Sequence, residues 1–237
     1  MYSILKIKPN LIIHVGADKG QDRAQYLRLG CQNIIWCEAD PSNVTYLESK
    51  FPDDRVINGI IWHVDAEQKD FYVFENSAQN SAIAPSHELS GSFRQVIITS
   101  TNKLDTVIDP RDISKPVLLV IDVQGAEIEV LNGAKKTLSN VEFVIIEIAL
   151  HSQGYLKAPT QESVYKSLKE FGFKPSIARF SHDESYKDLL FLKGSRLRML
   201  EIQIIDRAFD FLMKSRHLIL QRHLPKYHYY CERCDGK

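Results

Sequence analysis

The chain has 237 residues, 44% of them apolar and 25% charged, which is the balance of a globular protein with one main domain. Its 30 basic and 30 acidic residues cancel, and this excludes a global charge that would concentrate it on nucleic acid or an anionic membrane. The first apolar stretch is too short for a signal peptide or a spanning helix, and four cysteines are too few for a disulfide framework. We therefore expect a cytoplasmic protein with reduced thiols, no nucleic-acid partner and no membrane span.

Five short apolar runs predict the strands of the main sheet. They are rich in Val, Ile and Leu without period-two alternation, which indicates strands covered on both faces, as in parallel α/β sheets. The runs are residues 11–15, 33–39, 55–61, 116–123 and 142–150. Helical patterns occupy residues 21–29, 41–50, 125–138 and 161–171. This order predicts a doubly wound, mostly parallel α/β fold.

The pattern changes between residues 62 and 116, and we interpret this region as an insert. The runs 70–74 and 95–104 alternate or are β-branched, which predicts a hairpin. The segment Asn76–Gly91 between them is long and polar, which is typical of a mobile loop. We expect this segment to close over the ligand crevice.

The last part of the chain predicts an antiparallel end to the sheet, followed by a tail. The runs 173–180 and 188–194 are joined by a polar turn, which is typical of a hairpin. Residues 199–221 have an amphipathic helical pattern with an excess of basic side chains. We expect a main domain over 1–194 and a carboxyl-terminal helix and tail over 195–237.

The tail also contains a candidate metal site, formed by His223, His228, Cys231 and Cys234. One Cys-x-x-Cys pair binds zinc only when two further ligands converge on it, and the chain has no second such pair. Chain termini are also commonly disordered. We therefore expect no metal.

The stretch HVGADKG follows the first predicted strand and places Gly16 and Gly20 at the mouth of the expected crevice. Glycine there lets the backbone approach a ligand that a Cβ atom would exclude. The spacing G-x-x-x-G differs from the G-x-G-x-x-G of pyrophosphate-binding loops. Glu38 ends the second strand about 20 residues later, where an acidic side chain can bind ribose hydroxyls. Together these features indicate a nucleoside site.

Three segments, HVGADKGQ, CEADPSN and above all LLVIDVQGAEIEVLNGA, resemble the FkbM family of S-adenosylmethionine-dependent methyltransferases. The resemblance covers roughly residues 11–194. It implies a seven-stranded, Rossmann-like class I methyltransferase sheet and an O-methyltransferase that acts on a sugar or another small hydroxylated acceptor. The chain departs from the family pattern at His14, Val120 and Gln124, where an acidic residue, Lys and Glu are common.

The resemblance also implies where the cofactor binds. Its methionine part is expected near Gly16, its ribose at Glu38, and its adenine near Ala39, Ile60 and Ile61. The expected cofactor-binding residues are therefore His14, Gly16, Ala17, Gly20, Glu38, Ala39, Ile60, Ile61 and Asp122.

Methyl transfer to a hydroxyl requires alignment, exclusion of water and a group that takes the hydroxyl proton. Asp122 ends the fourth parallel strand and faces the crevice, so it is the leading candidate base or acceptor-orienting residue. The alternative is that Asp122 caps the following helix. Glu147 and His151, on and after the next strand, are the other catalytic candidates.

Two other functions stay open at this point. An NAD-dependent oxidoreductase or epimerase would share the fold and Glu38, but it should have a denser glycine loop. A non-catalytic binding module would keep a vestigial crevice and use the basic helix at 199–221 to bind a partner.

Overall fold

The computed structural model describes residues 8–87, 93–149, 154–156, 158–181 and 186–193, and it describes the backbone alone at 149, 177–181 and 186. The predicted helix at 199–221 and the candidate zinc ligands of the tail lie outside these residues. His151 and the end of the polar segment, residues 88–91, lie outside them as well.

The described chain alternates strands and helices. The strands are β1 (Leu11–Val15), β2 (Ile34–Glu38), β3 (Arg55–Asn58), β4 (Ile60–Ile61), β5 (Gln68–Phe74), β6 (Phe93–Asn102), β7 (Val117–Ile121), β8 (Phe143–Ala149), β9 (Lys174–Ser181) and β10 (Tyr186–Leu192). The α-helices are α1 (Arg23–Arg28), α2 (Pro41–Lys50), α3 (Leu104–Val107), α4 (Glu127–Asn132), α5 (Lys135–Leu138) and α6 (Gln161–Glu170).

The main sheet has seven strands in the order β3-β2-β1-β7-β8-β10-β9. Strands β3, β2, β1, β7 and β8 are parallel, whereas β10 is antiparallel to both β8 and β9. This topology confirms the predicted mostly parallel, doubly wound fold. It also confirms the predicted antiparallel hairpin at the end of the sheet.

The continuous apolar runs are strands that bury both faces. In β1 every residue is buried, and alternate side chains enter different clusters on the two sides of the sheet. Leu11, Ile13 and Val15 belong to the cluster that includes side chains of α4 and α6. Ile12 belongs to the opposite cluster, with Tyr26 and Trp36. Burial of apolar surface on both faces therefore fixes the position of β1 in the centre of the fold.

The prediction of one strand over residues 55–61 is wrong. The chain turns at Gly59, which has φ +134°, and β3 and β4 join different sheets. The Gly59 N–H donates to the Glu38 carbonyl, while a Cβ at this position would lie 2.4 Å from Asn102 Nδ2. The turn therefore depends on contacts from β2 and β6 that the local sequence does not reveal.

The prediction of one helix over residues 125–138 is also wrong. The structure has two short helices, α4 and α5, separated at Gly133 and Ala134. A Cβ at Gly133 would lie 1.9 Å from the Trp62 carbonyl oxygen, so the insert packs directly on this backbone. The helix is thus interrupted where the Trp62 backbone lies against Gly133.

The insert contains the predicted hairpin, with β5 antiparallel to β6. Strand β4 adds to β6 in parallel and completes a three-stranded sheet in the order β4-β6-β5. This second sheet brings Ile60, Ile61 and Phe71 to the edge of the crevice beside the main sheet.

Candidate active site

A cleft opens at the carboxyl ends of β1, β2 and β7 and measures about 720 Å³ when counted to its open mouth. The chain leaves β1 for β2 on one side, while β7 pairs with β1 on the other, so the cleft lies at a topological switch point. Of the expected cofactor residues, its lining includes His14, Gly16, Ala17, Glu38, Ala39, Ile60, Ile61 and Asp122.

Gly16 directly follows β1 and lies against the backbone of Asp122, which directly follows β7. Its φ is +82°, and a Cβ atom there would lie only 1.8 Å from the Asp122 carbonyl oxygen. Its N–H donates to the Cys37 carbonyl at 3.0 Å. The loop after β1 can take this path only with glycine at position 16.

Gly20 has a different place from the one that the sequence predicts. It is not among the residues that line the cleft. Its φ is +68°, and a Cβ there would lie 2.7 Å from Phe51 Cε2 and 2.9 Å from Leu47 Cδ2. Gly20 therefore allows the loop after β1 to pack against α2.

Glu38 is buried at the end of β2 and organises the surrounding loops. Its carboxylate accepts hydrogen bonds from the backbone N–H of Asp18 at 2.7 Å, and from those of Ala39 and Asp40 at 2.8 Å each. Burial raises the pKa of Glu38 to about 8, although these three donors stabilise the charged form. Asp18 adopts a left-handed φ of +46°, which lets its N–H reach the Glu38 carboxylate.

Apolar side chains form part of the cleft lining. Ala39, Ile60 and Ile61 are each less than a tenth exposed, and Phe71 lines the same cleft. Such an apolar surface suits the flat face of an aromatic base. The role of these residues in binding adenine stays a prediction.

His14 is buried at the base of the cleft. Its Nδ1 is hydrogen-bonded to the Tyr26 hydroxyl at 2.8 Å, and its ring centroid lies 5.5 Å from that of Trp36. The tyrosine and the tryptophan fix the position of the imidazole where the family commonly has an acidic side chain.

Asp122, Gln124 and Glu147 form a hydrogen-bonded group at the ends of β7 and β8. The Gln124 Nε2 donates to Asp122 Oδ1 at 2.8 Å and to Glu147 Oε2 at 2.6 Å. Burial, together with the nearby Asp122 charge, holds the pKa of Glu147 far above its ordinary value. The two catalytic candidates that the structure describes are therefore joined through Gln124.

The helix-capping interpretation of Asp122 stays a prediction. Helix α4 begins at Glu127, and its N-cap is Ala126, which makes no side-chain capping bond. Asp122 lines the cleft and accepts a hydrogen bond from Gln124.

A second cavity of about 270 Å³ adjoins the cleft, and Gln124 lines both. Glu127, Glu147 and Tyr155 also line the second cavity. Burial raises the pKa of Glu127 to about 7, although hydrogen bonds from the Gly125 N–H, at 2.9 Å, and from its own N–H favour the charged form. This cavity brings buried Glu127 and half-buried Glu147 close to the cofactor cleft.

Residues 76–87 of the polar segment cover one side of the cleft. Asn80 Nδ2 donates to Asp40 Oδ2 at 3.0 Å, and the Ser81 hydroxyl donates to the Gln124 carbonyl at 2.8 Å. The Tyr155 hydroxyl donates to the Gln79 carbonyl at 2.6 Å. Motif analysis did not identify Asp40, Gln124 or Tyr155 as anchors of this segment.

No group of three or more His, Cys, Asp or Glu side chains in the part of the chain that the structure describes is arranged to hold a metal ion. None of the helices in the same part combines the length and the apolar character needed to cross a bilayer.

The sheet order and the cleft at its switch point define a class I methyltransferase fold. The family profile described as the methyltransferase FkbM domain matches residues 14–175. The chain therefore belongs to this family, and the predicted resemblance is confirmed.

Two relatives are methyltransferases by name. The 2-O-methyltransferase NoeI of Sinorhizobium fredii is 26% identical over 162 residues, which are 61% of this chain and 65% of that protein. The hexuronic acid methyltransferase AglP of Haloferax volcanii is 32% identical over 82 residues, which are 35% of this chain and 31% of that protein. The matched regions thus span less than two thirds of either relative.

Among solved structures, the chain is similar to magnesium protoporphyrin IX methyltransferase from Synechocystis PCC 6803 with bound S-adenosylmethionine. The TM-score is 0.44 at 11% sequence identity, and the match covers 78% of this chain and 70% of that one.

Proposed function

We propose that the protein is an S-adenosylmethionine-dependent O-methyltransferase that acts on a hydroxyl of a sugar or another small metabolite. The observation that carries the proposal is the cleft itself. Buried Glu38 lies at the end of β2 and Asp122 lies just after β7, on either side of β1. Membership of the methyltransferase FkbM domain family supports the reaction class.

The cofactor fits the charge and shape of this cleft. In this proposal the methionine part lies near Gly16, the ribose hydroxyls donate to Glu38, and adenine packs against Ala39 and Ile60, all of which line the cleft. Among the described residues that line the cleft, Asp18, Asp22, Glu38 and Asp122 are acidic and none is Lys or Arg. S-adenosylmethionine carries a positive sulfonium and an ammonium group, which this acidic lining attracts.

The same lining does not suit the alternatives. A dinucleotide would place its negative pyrophosphate among acidic side chains, without a nearby cation in the described lining. Oxidoreductases of this fold use a Tyr-x-x-x-Lys pair, and the pairs Tyr46/Lys50 and Tyr165/Lys169 lie on helices α2 and α6, away from the cleft lining. Asp122, Gln124 and Glu147, which form a hydrogen-bonded group beside the cleft, favour an enzyme over a vestigial crevice.

The protein's part in the reaction is to align the reactants, exclude water and receive a proton. S-adenosylmethionine, when bound, supplies a methyl group on a sulfonium, which becomes a neutral thioether as the acceptor oxygen bonds to the methyl carbon. Asp122 lies in the cleft and takes the proton that the acceptor hydroxyl loses. Residues 76–87 shield that side of the cleft from bulk water.

The acceptor class follows from the relatives and the site. One relative is named a 2-O-methyltransferase and the other a hexuronic acid methyltransferase. A zero net charge supports a small or glycan acceptor rather than nucleic acid. To test the activity, a panel of sugars and uronic acids would be incubated with the protein and S-adenosylmethionine. We expect S-adenosylhomocysteine release together with a methylated product, whereas silence across the panel would count against a sugar acceptor.

The organisation of the whole chain belongs to the same proposal. Residues 1–194 make up the methyltransferase domain in this proposal, with an insert at about 62–116, and the predicted helix and tail over 195–237 lie outside the described residues. The insert is supported by the three-stranded sheet that β5 and β6 make beside the main sheet. The cytoplasmic location is a proposal that rests on the sequence.

Cofactor affinity is expected to depend on pH through Glu38. Its pKa of about 8 means that the free site is increasingly protonated below that pH, whereas ribose hydroxyls donate to the charged carboxylate. Affinity should therefore rise by up to about tenfold per pH unit as pH approaches 8, and level off above it. Titration calorimetry between pH 6 and 9 measures this trend.

The Glu38→Gln variant provides the control for that titration. It should bind S-adenosylmethionine more weakly, by about 1–3 kcal/mol, because the charged acceptor is lost. It should also lose the part of the pH dependence that does not come from the cofactor's own amino group. Equal affinities and equal pH profiles for both proteins would reject the ribose assignment.

Residues 76–87 are expected to become better protected when the site is filled. Their contacts to Asp40, Gln124 and Tyr155 cross the cleft, so ligands should stabilise the closed arrangement. Hydrogen exchange of the Asn80 and Ile83 amides should slow roughly tenfold with S-adenosylhomocysteine and acceptor present. Exchange rates that stay the same when both ligands are added would contradict a closing role for residues 76–87.

A further inference from the structure

Gln124 occupies a position that links three parts of the site. Its side-chain amide donates to Asp122 at the end of β7 and to Glu147 in β8, at 2.8 and 2.6 Å. Its carbonyl oxygen accepts a hydrogen bond from the Ser81 hydroxyl of the segment 76–87. One side chain thus bridges the two catalytic candidates, while the same residue's backbone anchors the covering segment.

The bridged carboxyl groups form a pair that must hold a proton. Gln124 holds the two carboxyl groups close together, and burial together with the Asp122 charge raises the pKa of Glu147, so the pair keeps one proton. Asp188 faces Glu147 from the antiparallel partner β10 and adds a further negative group, while Glu127 lines the same second cavity. These acidic neighbours and burial favour a pair with one negative charge over a pair with two.

The backbone at position 124 is adapted to this bridge. Gln124 has φ +52°, in the left-handed region that few residues other than glycine adopt readily, and Gly125 follows with φ +103°. Such conformations cluster at functional sites, where the surroundings hold them in place. Here the hydrogen bonds to Asp122, Glu147 and Ser81 supply that restraint.

We propose that Gln124 is a positioning residue, whose amide holds Asp122 and Glu147 as one carboxylate and one carboxylic acid. The two N–H bonds of the amide satisfy one oxygen of each group, and the negative charge stays available on Asp122 in the cofactor cleft. When the acceptor hydroxyl loses its proton, that proton goes to Asp122, and the pair later returns one proton to solvent. The catalytic role of the negative charge on Asp122 rests on the proposed function, whereas the presence of one proton on the pair does not.

The shared proton can be counted without an acceptor. Gln124→Glu keeps the size of the side chain but replaces the two N–H donors with a third carboxyl group. To keep contacts with Asp122 and Glu147, the folded variant must retain one more proton than the wild type. Unfolding in urea at pH 8, in weak buffer with a pH indicator, should therefore release about one additional proton per molecule.

The matched control is Gln95→Glu, which introduces the same charge at an exposed position on β6. Its proton release on unfolding should equal that of the wild type. If Gln124→Glu also released the same number of protons as the wild type, the side chain at position 124 would not contact the Asp122–Glu147 pair. That result would overturn the proposal.

A second variant covers the case in which Gln124→Glu does not fold. Gln124→Met removes the donors without adding a charge, and it should bind S-adenosylmethionine within threefold of the wild type. Its kcat should fall about 10- to 100-fold, and the acidic limb of its pH–rate profile should move to higher pH because a donor to the negative pair is lost. A wild-type kcat and profile would overturn the proposal. Absence of any turnover in the wild type would instead refute the proposed function and leave the proton count as the test of the pair.

Discussion

Replacing Gly16 with alanine is expected to destabilise the fold by about 2–5 kcal/mol and to abolish cofactor binding. About 1–2 kcal/mol comes from a non-glycine residue in a left-handed conformation, and about 1–3 kcal/mol comes from overpacking. The overpacking is severe because the added Cβ would lie 1.8 Å from the Asp122 carbonyl oxygen, which belongs to the backbone and cannot rotate away. Urea unfolding and calorimetric titration with S-adenosylmethionine measure the two effects.

Gly30 provides a matched control for this prediction. It has the same φ of +82°, but a Cβ there would meet nothing within 4 Å. Gly30→Ala should therefore cost only the conformational part, about 1–2 kcal/mol, and leave cofactor affinity unchanged. If both variants lost the same stability and both bound the cofactor, the close approach of β1 and β7 would have no role in the site.

Changing Asp122 to asparagine is expected to reduce turnover about 10²- to 10⁴-fold, the range attributed to a general base. Asparagine keeps the oxygen that accepts from Gln124, so shape and most of the cofactor affinity should survive. The change removes the negative oxygen that would take the hydroxyl proton. Steady-state kinetics on the acceptor found in the sugar panel, with cofactor affinity measured in parallel, separate the two contributions.

Asp188→Asn is the control for charge loss near the pair. Asp188 acts on Glu147 from β10, but it is not among the residues lining the cofactor cleft. Its replacement should lower turnover by less than about tenfold, because no reacting proton passes to it. Near wild-type turnover in Asp122→Asn would refute the assignment of the base and direct attention to Glu147 and His151.

The main sheet could be predicted from the sequence because its strands are buried on both faces. Runs such as Leu11–Val15 and Val117–Ile121 contain almost no polar residue, and this composition excludes strands with one solvated face. The hairpin at the end of the sheet was equally visible, since a polar turn separates two apolar runs. In each case a local pattern and the global fold agree.

The breaks at Gly59 and Gly133 could not be predicted because they depend on distant partners. Gly59 turns where the Glu38 carbonyl and the Asn102 side chain approach it. Gly133 is crossed by the Trp62 backbone from the insert. A glycine within an apolar run gives no indication of which segment will lie against it.

Within the site, strand ends were predictable and side-chain partners were not. Glu38 ends one buried strand and Asp122 follows another, and parallel strands place their carboxyl ends at one edge. The contacts of Gln124 with Glu147, and of Tyr155 with Gln79, require the register of β7 against β8 and the path of the covering segment. The one local signal was the pair Gln124-Gly125, in which a polar residue precedes glycine just after a strand.

Calorimetric titration of the wild-type protein with S-adenosylmethionine, S-adenosylhomocysteine and NAD tests the central claim most directly. The acidic cleft around Gly16 and Glu38 predicts one site per chain for each of the first two ligands and no heat of binding for NAD. The result does not depend on knowing the acceptor. Binding of NAD, or silence with all three ligands, would contradict the assignment of this cleft to a methyl donor.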